Sequence, residues 1–188
     1  KEFVPVDCTL FTEDMFASEL FGHAKGAFTS AVSNKRGLYE LADQGSLFFD
    51  EIGEMPLGMQ AKLLRAIETG SFRRIGETAM RHASVRLICA TNRDLKAMVD
   101  AGSFRADLYY RINCMQVELP PLRHRRGDIP ELVSHFLDHC GFRKSQVTPK
   151  ALDCLRNYPF PGNVRELRNI LERATILAKG DAIDIRHL

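Results

Sequence analysis

Two adjacent carboxylates, Asp50 and Glu51, follow the apolar run Ser46-Leu47-Phe48-Phe49. A short run with two phenylalanines and no polar alternation reads as a buried strand. In open parallel sheets, ligands gather at the carboxyl ends of strands. Two acids at such an end suit a divalent cation and a water. Magnesium takes one or two carboxylates and leaves the rest of its shell to water and phosphate oxygens. The neighbouring carboxylate can act as a general base toward an attacking water. A strand that merely stops at a charged turn would show the same residues, so the elements around the pair have to decide.

Composition narrows the setting. With 188 residues, the chain makes one large domain or a domain with a small appendage. A hydrophobic fraction of 45% and a charged fraction of 27% are those of an ordinary globular protein. The net charge of +2 gives no general attraction to nucleic acid or an anionic membrane. Five scattered cysteines, with no C-x-x-C pair, argue for a reducing compartment and against a disulfide frame or a zinc site. His135 and His139 lie four apart with Cys140 next, but no third metal ligand is evident. No signal peptide or long apolar run is present, and a cytoplasmic location is expected.

The elements that must position the acids alternate between strand and helix. Strands are expected at 3–7, at an edge because Pro5 removes a ladder donor, then at 46–49, 85–90 and 115–119. Helices are expected from Thr12, from 57 to a stop at Gly70, and in parts over 98–110 around Gly102. Between them, Gly26-Ala27-Phe28-Thr29-Ser30-Ala31 breaks the helical period with small residues and one aromatic, as an exposed tip would. From Arg126 the pattern turns wholly helical. Thr148-Pro149 opens one helix, and Asn163-x-x-Glu166 suggests a capping box for another that buries Val164, Leu167, Ile170, Leu171, Ala174 and Leu177. An α/β part over 1–122 and a helical part over 123–188 are expected.

Together these stretches resemble the AAA+ domain of bacterial enhancer-binding proteins, the activators of sigma-54 RNA polymerase. Glu19-Leu20-Phe21-Gly22-His23 with 26–31 resembles the GAFTGA loop, and Asp50-Glu51-Ile52-Gly53-Glu54 the Walker B motif. Phe104-Arg105-Ala106-Asp107-Leu108-Tyr109-Tyr110-Arg111 resembles the arginine-finger segment, and Pro161-Gly162-Asn163-Val164-Arg165-Glu166-Leu167 the sensor II helix. All four occur in order along nearly the whole chain.

The resemblance implies an α/β fold of the P-loop NTPase type with a parallel sheet and a C-terminal helical lid. It implies ATP and Mg²⁺ as cofactors, an ATPase that forms a hexameric ring, and sigma-54 RNA polymerase holoenzyme as partner. DNA would be reached only through a domain outside this chain, and no membrane is implied. Asp50 would hold Mg²⁺, Glu51 would orient water and Asn92 would serve as sensor I. Arg105 or Arg111 would act on a neighbouring subunit's nucleotide. Their spacing of six does not put both on one helical face, so one finger is expected. Arg165 would act as sensor II, and Gly26, Ala27, Phe28, Thr29, Ser30 and Ala31 would touch the sigma factor. The Arg123-His124-Arg125-Arg126 run reads as a solvated linker with local nucleotide contacts.

The sequence also departs from the family pattern. No G-x-x-x-x-G-K-[ST] occurs. The resemblance places that P-loop strand just before Lys1, so the 188 residues alone are expected not to hydrolyse ATP. Asp7 stands where the family usually has Asn, a switch position, and a carboxylate facing Glu51 is expected to repel it and raise a pKa, which bears on that switch. Ser30 replaces the second glycine of GAFTGA, which would strain the backbone if that position needs positive φ. Two rival readings are a degenerate, non-hydrolytic AAA+ regulatory domain and an AAA+ remodeller of another target.

Overall fold

The apolar run ending in the acid pair forms β4 (Ser46–Asp50), the middle strand of a three-stranded parallel sheet. Its neighbours are β1 (Phe3–Asp7) and β7 (Arg86–Cys89). The register runs from Phe3 opposite Ser46 to Asp7 opposite Asp50, and from Ser46 opposite Arg86 to Phe49 opposite Cys89. β1 is an edge strand, with Pro5 exposed between buried Val4 and Val6. The computed structural model describes residues 2–10, 12–139 and 147–188, with backbone only at 139. Cys140 and the side chain of His139 thus lie outside the described residues.

The crossover from β1 to β4 carries α1 (Glu13–Phe21), the short antiparallel pair β2 (Gly22–His23) and β3 (Lys35–Arg36), and α2 (Leu38–Leu41). Phe16 and Leu20 of α1 are buried against the sheet core with Leu47 and Phe49. Gly37 makes the narrow exit of the pair possible, since a Cβ there would lie 2.3 Å from the Phe21 carbonyl carbon. The crossover from β4 to β7 carries α3 (Leu57–Thr69), which buries Met59, Leu63 and Ala66 and closes on Gly70 in the left-handed region. A second antiparallel pair follows, β5 (Ser71–Phe72) with β6 (Arg81–His82). After β7 come α4 (Leu95–Asp100) and α5 (Ala106–Ile112), either side of Gly102.

The expected strand at 115–119 does not form. Residues 116–120 carry no regular structure, and Met115, Val117 and Leu119 are 85%, 73% and 78% exposed. A strand needs a partner edge for its backbone groups, and none of the described strands pairs with this segment. The apolar alternation is present in the sequence, but alternation alone does not supply hydrogen bonds.

The chain divides into two compact units, residues 1–116 and 117–188. The second holds α6 (Ile129–His139), α7 (Pro149–Asn157) and α8 (Asn163–Ala178) around Ile129, Val133, Leu137, Leu155, Phe160, Leu167 and Leu171. Thr148 caps α7, its hydroxyl oxygen accepting from the Ala151 N–H at 3.2 Å. The capping box expected on α8 is only half present. Gly162 is the N-cap, and the Glu166 carboxylate accepts from the Gly162 N–H at 2.8 Å. Asn163 instead sits at φ 52° and accepts the Leu122 N–H at 2.9 Å, so its side chain ties the unit's entry to α8. The buried face of α8 ends on Ala178 rather than Leu177, which is 53% exposed; the stripe runs Leu167, Leu171, Ala174, Ala178.

Candidate active site and partner loop

Three backbone hydrogen bonds continue the sheet beyond its last registered pairs and fix the end of β4. Cys8 N–H donates to the Asp50 carbonyl at 3.0 Å, Ala90 N–H to the Phe49 carbonyl at 2.8 Å, and Ile52 N–H to the Ala90 carbonyl at 3.0 Å. Asp50 is therefore held from both sides. Glu51, next in the chain, sits at φ 53°, ψ 51°, a left-handed conformation that a residue with a Cβ adopts at a cost. The turn points its carboxylate to the end of the neighbouring strand, where Oε2 accepts the Asn92 backbone N–H at 3.2 Å. The Asn92 side chain is exposed and makes no hydrogen bond among the described residues.

The Asp7 carboxylate turns to Thr9. Its Oδ1 accepts both the Thr9 N–H (2.9 Å) and the Thr9 hydroxyl (2.6 Å). The hydroxyl bond, then the amide bond, hold the Asp7 carboxyl below its ordinary range rather than above it. Burial pushes the Cys8 thiol up to about 12, helped by the charges of Cys89, Asp7, Asp50 and Glu51, and pushes Cys89 up to about 11. Both thiols stay protonated at neutral pH. None of Asp7, Asp50 or Glu51 forms an ion pair among the described residues. Uncompensated hard oxygen donors at the end of the central strand fit Mg²⁺.

The two arginines stand differently. Arg105 is the N-cap of α5, and its guanidinium forks onto Asp107 (Nε to Oδ1 3.0 Å, Nη2 to Oδ2 2.6 Å). Its backbone N–H donates to Oε1 of Gln60 at 2.8 Å. Gln60 is fully buried and also donates to the Met55 carbonyl at 2.8 Å, joining α3 to the start of α5. Arg111, exposed in the last turn of α5, has no acid partner among the described residues. Arg165 is exposed in the first turn of α8. In the same unit Arg125 has a buried Nε with no acceptor among the described residues. Arg123, His124 and Arg126 around it are exposed, as a solvated run requires, so only this one nitrogen of the run is desolvated.

Residues 24–31 form a tight turn on the stem β2–β3. Gly26 N–H donates to the Ala31 carbonyl (2.8 Å), Ala31 N–H to the Phe28 carbonyl (2.9 Å), and Lys25 N–H to the Asn34 side chain (2.7 Å). Phe28 is 40% exposed and packs edge-on against His23, ring centroids 4.9 Å apart, while His23 Nδ1 lies 2.8 Å from the Ser18 hydroxyl. Gly26 takes positive φ (81°), as a turn without a Cβ can. Ser30 does not, so the strain considered for it is absent. The stem is tied to the connector after β5: Ala24 N–H donates to the Ile75 carbonyl and Ile75 N–H to the Gly22 carbonyl, both at 2.9 Å.

Beside this stem, Glu40 of α2 receives a bidentate Arg74 (Nη2 to Oε2 2.8 Å), with Arg36 and Arg81 around it. Burial raises the Glu40 pKa, but the Arg74 hydrogen bonds and the three arginine charges outweigh it and leave the carboxyl below its ordinary 4.5. No motif in the sequence assigns a role to Glu40, Arg74 or Gln60. Arg73-Arg74 follow Phe72 in sequence and Gln60 lies at helical spacing from Leu63 and Leu64, but neither pattern names a partner.

Known proteins share this arrangement. Residues 1–118 match the sigma-54 interaction domain, and residues 123–188 match an AAA+ ATPase lid domain. The chain is 50% identical over 186 residues to a Nif-specific regulatory protein of Sinorhizobium fredii, covering 97% of this chain and 31% of that protein. It is 47% identical over 192 residues to the transcriptional regulatory protein ZraR of Escherichia coli, covering all of this chain and 44% of that protein. The chain thus spans well under two thirds of these relatives. Among solved structures, NtrX from Brucella abortus in complex with ATP superposes with a TM-score of 0.85 at 36% identity, over 97% of this chain and 40% of NtrX. No described helix is long and apolar enough to cross a membrane. With an acid pair ending a central parallel strand, a glycine-bounded loop on a two-stranded stem, and both parts of its length matched by family models, the chain belongs to the sigma-54 interaction domain family of AAA+ proteins and carries the AAA+ lid after it.

Proposed function

We propose that this chain is the ATP-hydrolysing module of a cytoplasmic transcriptional activator, working as a hexameric ring that remodels sigma-54 RNA polymerase holoenzyme. The observation that carries the reading is Glu51, held in a left-handed turn with its carboxylate on the Asn92 N–H. Backbone strain of this kind persists where the surroundings over-determine it, and it concentrates at functional sites. ATP and Mg²⁺, when bound, supply the phosphoryl group to be transferred to water and the neutralisation of its charge. Asp50 would hold the metal. Glu51 accepts the proton of the attacking water, and the Asn92 N–H keeps its carboxylate aimed. The free Asn92 amide contacts phosphate or water.

Arg111 can turn to a neighbouring subunit's nucleotide without breaking an ion pair, whereas Arg105 must first leave Asp107. That difference favours Arg111 as the finger. A permanently charged, forked guanidinium suits the charge that develops on the phosphoryl oxygens. Arg165 senses the nucleotide from α8. The turn 26–31 carries the output: Phe28 and Thr29 meet the sigma factor, with Gly26, Ala27, Ser30 and Ala31 shaping the tip. Its DNA contacts belong to other parts of the protein.

The test is Phe28→Ala in the full-length protein, with ATP turnover and binding to sigma-54 holoenzyme in the presence of a phosphate transition-state mimic measured together. We expect turnover within a few-fold of wild type and loss of binding by about 2 kcal/mol or more, as for an aromatic anchor. Intact sigma-54 binding by the variant would overturn the role of the loop and, with it, the sigma-54 reading.

A further inference from the structure

We propose that a cavity between α1, α3 and the β5–β6 pair binds a low-molecular-weight apolar carboxylate, a ligand unrelated to the nucleotide. The cavity holds about 380 Å³, inside the roughly 300–1,000 Å³ of small-molecule sites. Its floor is apolar. Phe21 and Phe72 are buried and stacked with centroids 5.9 Å apart, and Ile75 and Met80 continue the wall. Its rim is cationic, with Lys62 and Arg65 from α3 and Arg73 from the connector. Lys62 and Arg65 stand three apart, so they share one helix face.

What sets these cations apart is the lack of acids. Around them Lys35 pairs with Glu19, Arg36 and Arg74 with Glu40, and Arg81 with Glu77. Lys62, Arg65 and Arg73 have no ion pair among the described residues, although they gather around one opening. Arg73 is steadied only through Nε, which donates to the Met80 thioether at 3.0 Å. A thioether is a weak, uncharged acceptor, so the two terminal nitrogens remain open to a carboxylate fork. An apolar floor under uncompensated charge of one sign calls for an amphipathic anion. An aromatic or branched hydrocarbon would rest on Phe21 and Phe72, and its carboxylate would reach Arg73 and Lys62.

The full-length protein is titrated with 4-phenylbutyrate and, separately, with the neutral 4-phenylbutanamide, followed by calorimetry and by the ¹³C-methyl resonance of Met80. We expect saturable binding of the acid with a Met80 shift. The amide should bind at least about tenfold more weakly, since it lacks the charge-assisted hydrogen bonds. The double variant Lys62→Gln, Arg73→Gln should lower affinity for the acid by the same factor and leave the amide unaffected, and Lys150→Gln, in the helical unit, should change neither. Equal binding of acid and amide, no saturation in the millimolar range, a silent Met80 methyl, or wild-type affinity in the double variant would each overturn the proposal. The Met80 readout uses the unaltered protein, so it decides the matter even if the double variant misfolds.

Discussion

Glu51 concentrates the conflict between stability and use in one residue. Its left-handed backbone costs on the order of 1 kcal/mol relative to glycine, and the Asn92 hydrogen bond spans only 3.2 Å. Two substitutions separate the roles. In the full-length protein, Glu51→Gln should retain nucleotide binding and lose turnover by about 10²-fold or more, because an amide cannot accept the proton. Near-normal phosphate release would remove Glu51 from the chemistry. Glu51→Gly should abolish turnover as fully, yet unfold at the same or a higher temperature than Glu51→Gln, because glycine relieves the strain. A clearly lower midpoint for the glycine variant would mean that the carboxylate is there for stability.

At the scale of elements, Glu40 joins α2 to the connector after β5 through Arg74, which is itself buried. Removing one partner leaves a desolvated guanidinium, so Glu40→Gln should destabilise by about 2–3 kcal/mol near neutral pH. The sign with pH follows from the lowered Glu40 pKa. The contribution is complete above the ordinary glutamate value and is lost as pH falls through the lower folded value. Denaturation midpoints of wild type and variant should therefore converge below about pH 4.5. A difference that stays constant down to pH 3 would show that Glu40 acts by packing alone.

At the scale of the molecule, the proposed ring has each finger come from a neighbouring copy. Mixing an Arg105→Ala, Arg111→Ala protein with an Asp50→Ala protein should restore part of the turnover that each lacks alone. No recovery in mixed rings of verified composition would count against fingers acting between subunits. Among the described residues, the sheet has an unpaired side at β7, where Ile88 is exposed, and Met115, Val117 and Leu119 form an unpaired apolar segment. Open strand edges associate. The 188 residues expressed alone should therefore self-associate at micromolar concentrations, and Ile88→Lys with Val117→Lys should reduce this in sedimentation experiments. Association unchanged by both lysines would place the contact elsewhere.

Residue pattern alone determined the strands at 3–7, 46–50 and 86–89, the crossover helices α1 and α3, and the helical character of the second unit. These follow from local causes: an apolar run that must be buried, glycines that end helices, and a threonine–proline start. The tertiary structure alone decided the rest. It left 115–119 without a strand partner among the described residues, because pairing needs an edge that alternation cannot provide. It turned Asp7 to Thr9 and Asn163 to Leu122, since a polar side chain takes whichever partner the backbone brings within reach. It also gathered Lys62, Arg65 and Arg73 around one opening while giving their neighbours acids, a distinction between identical residue types that exists only once the chain is folded.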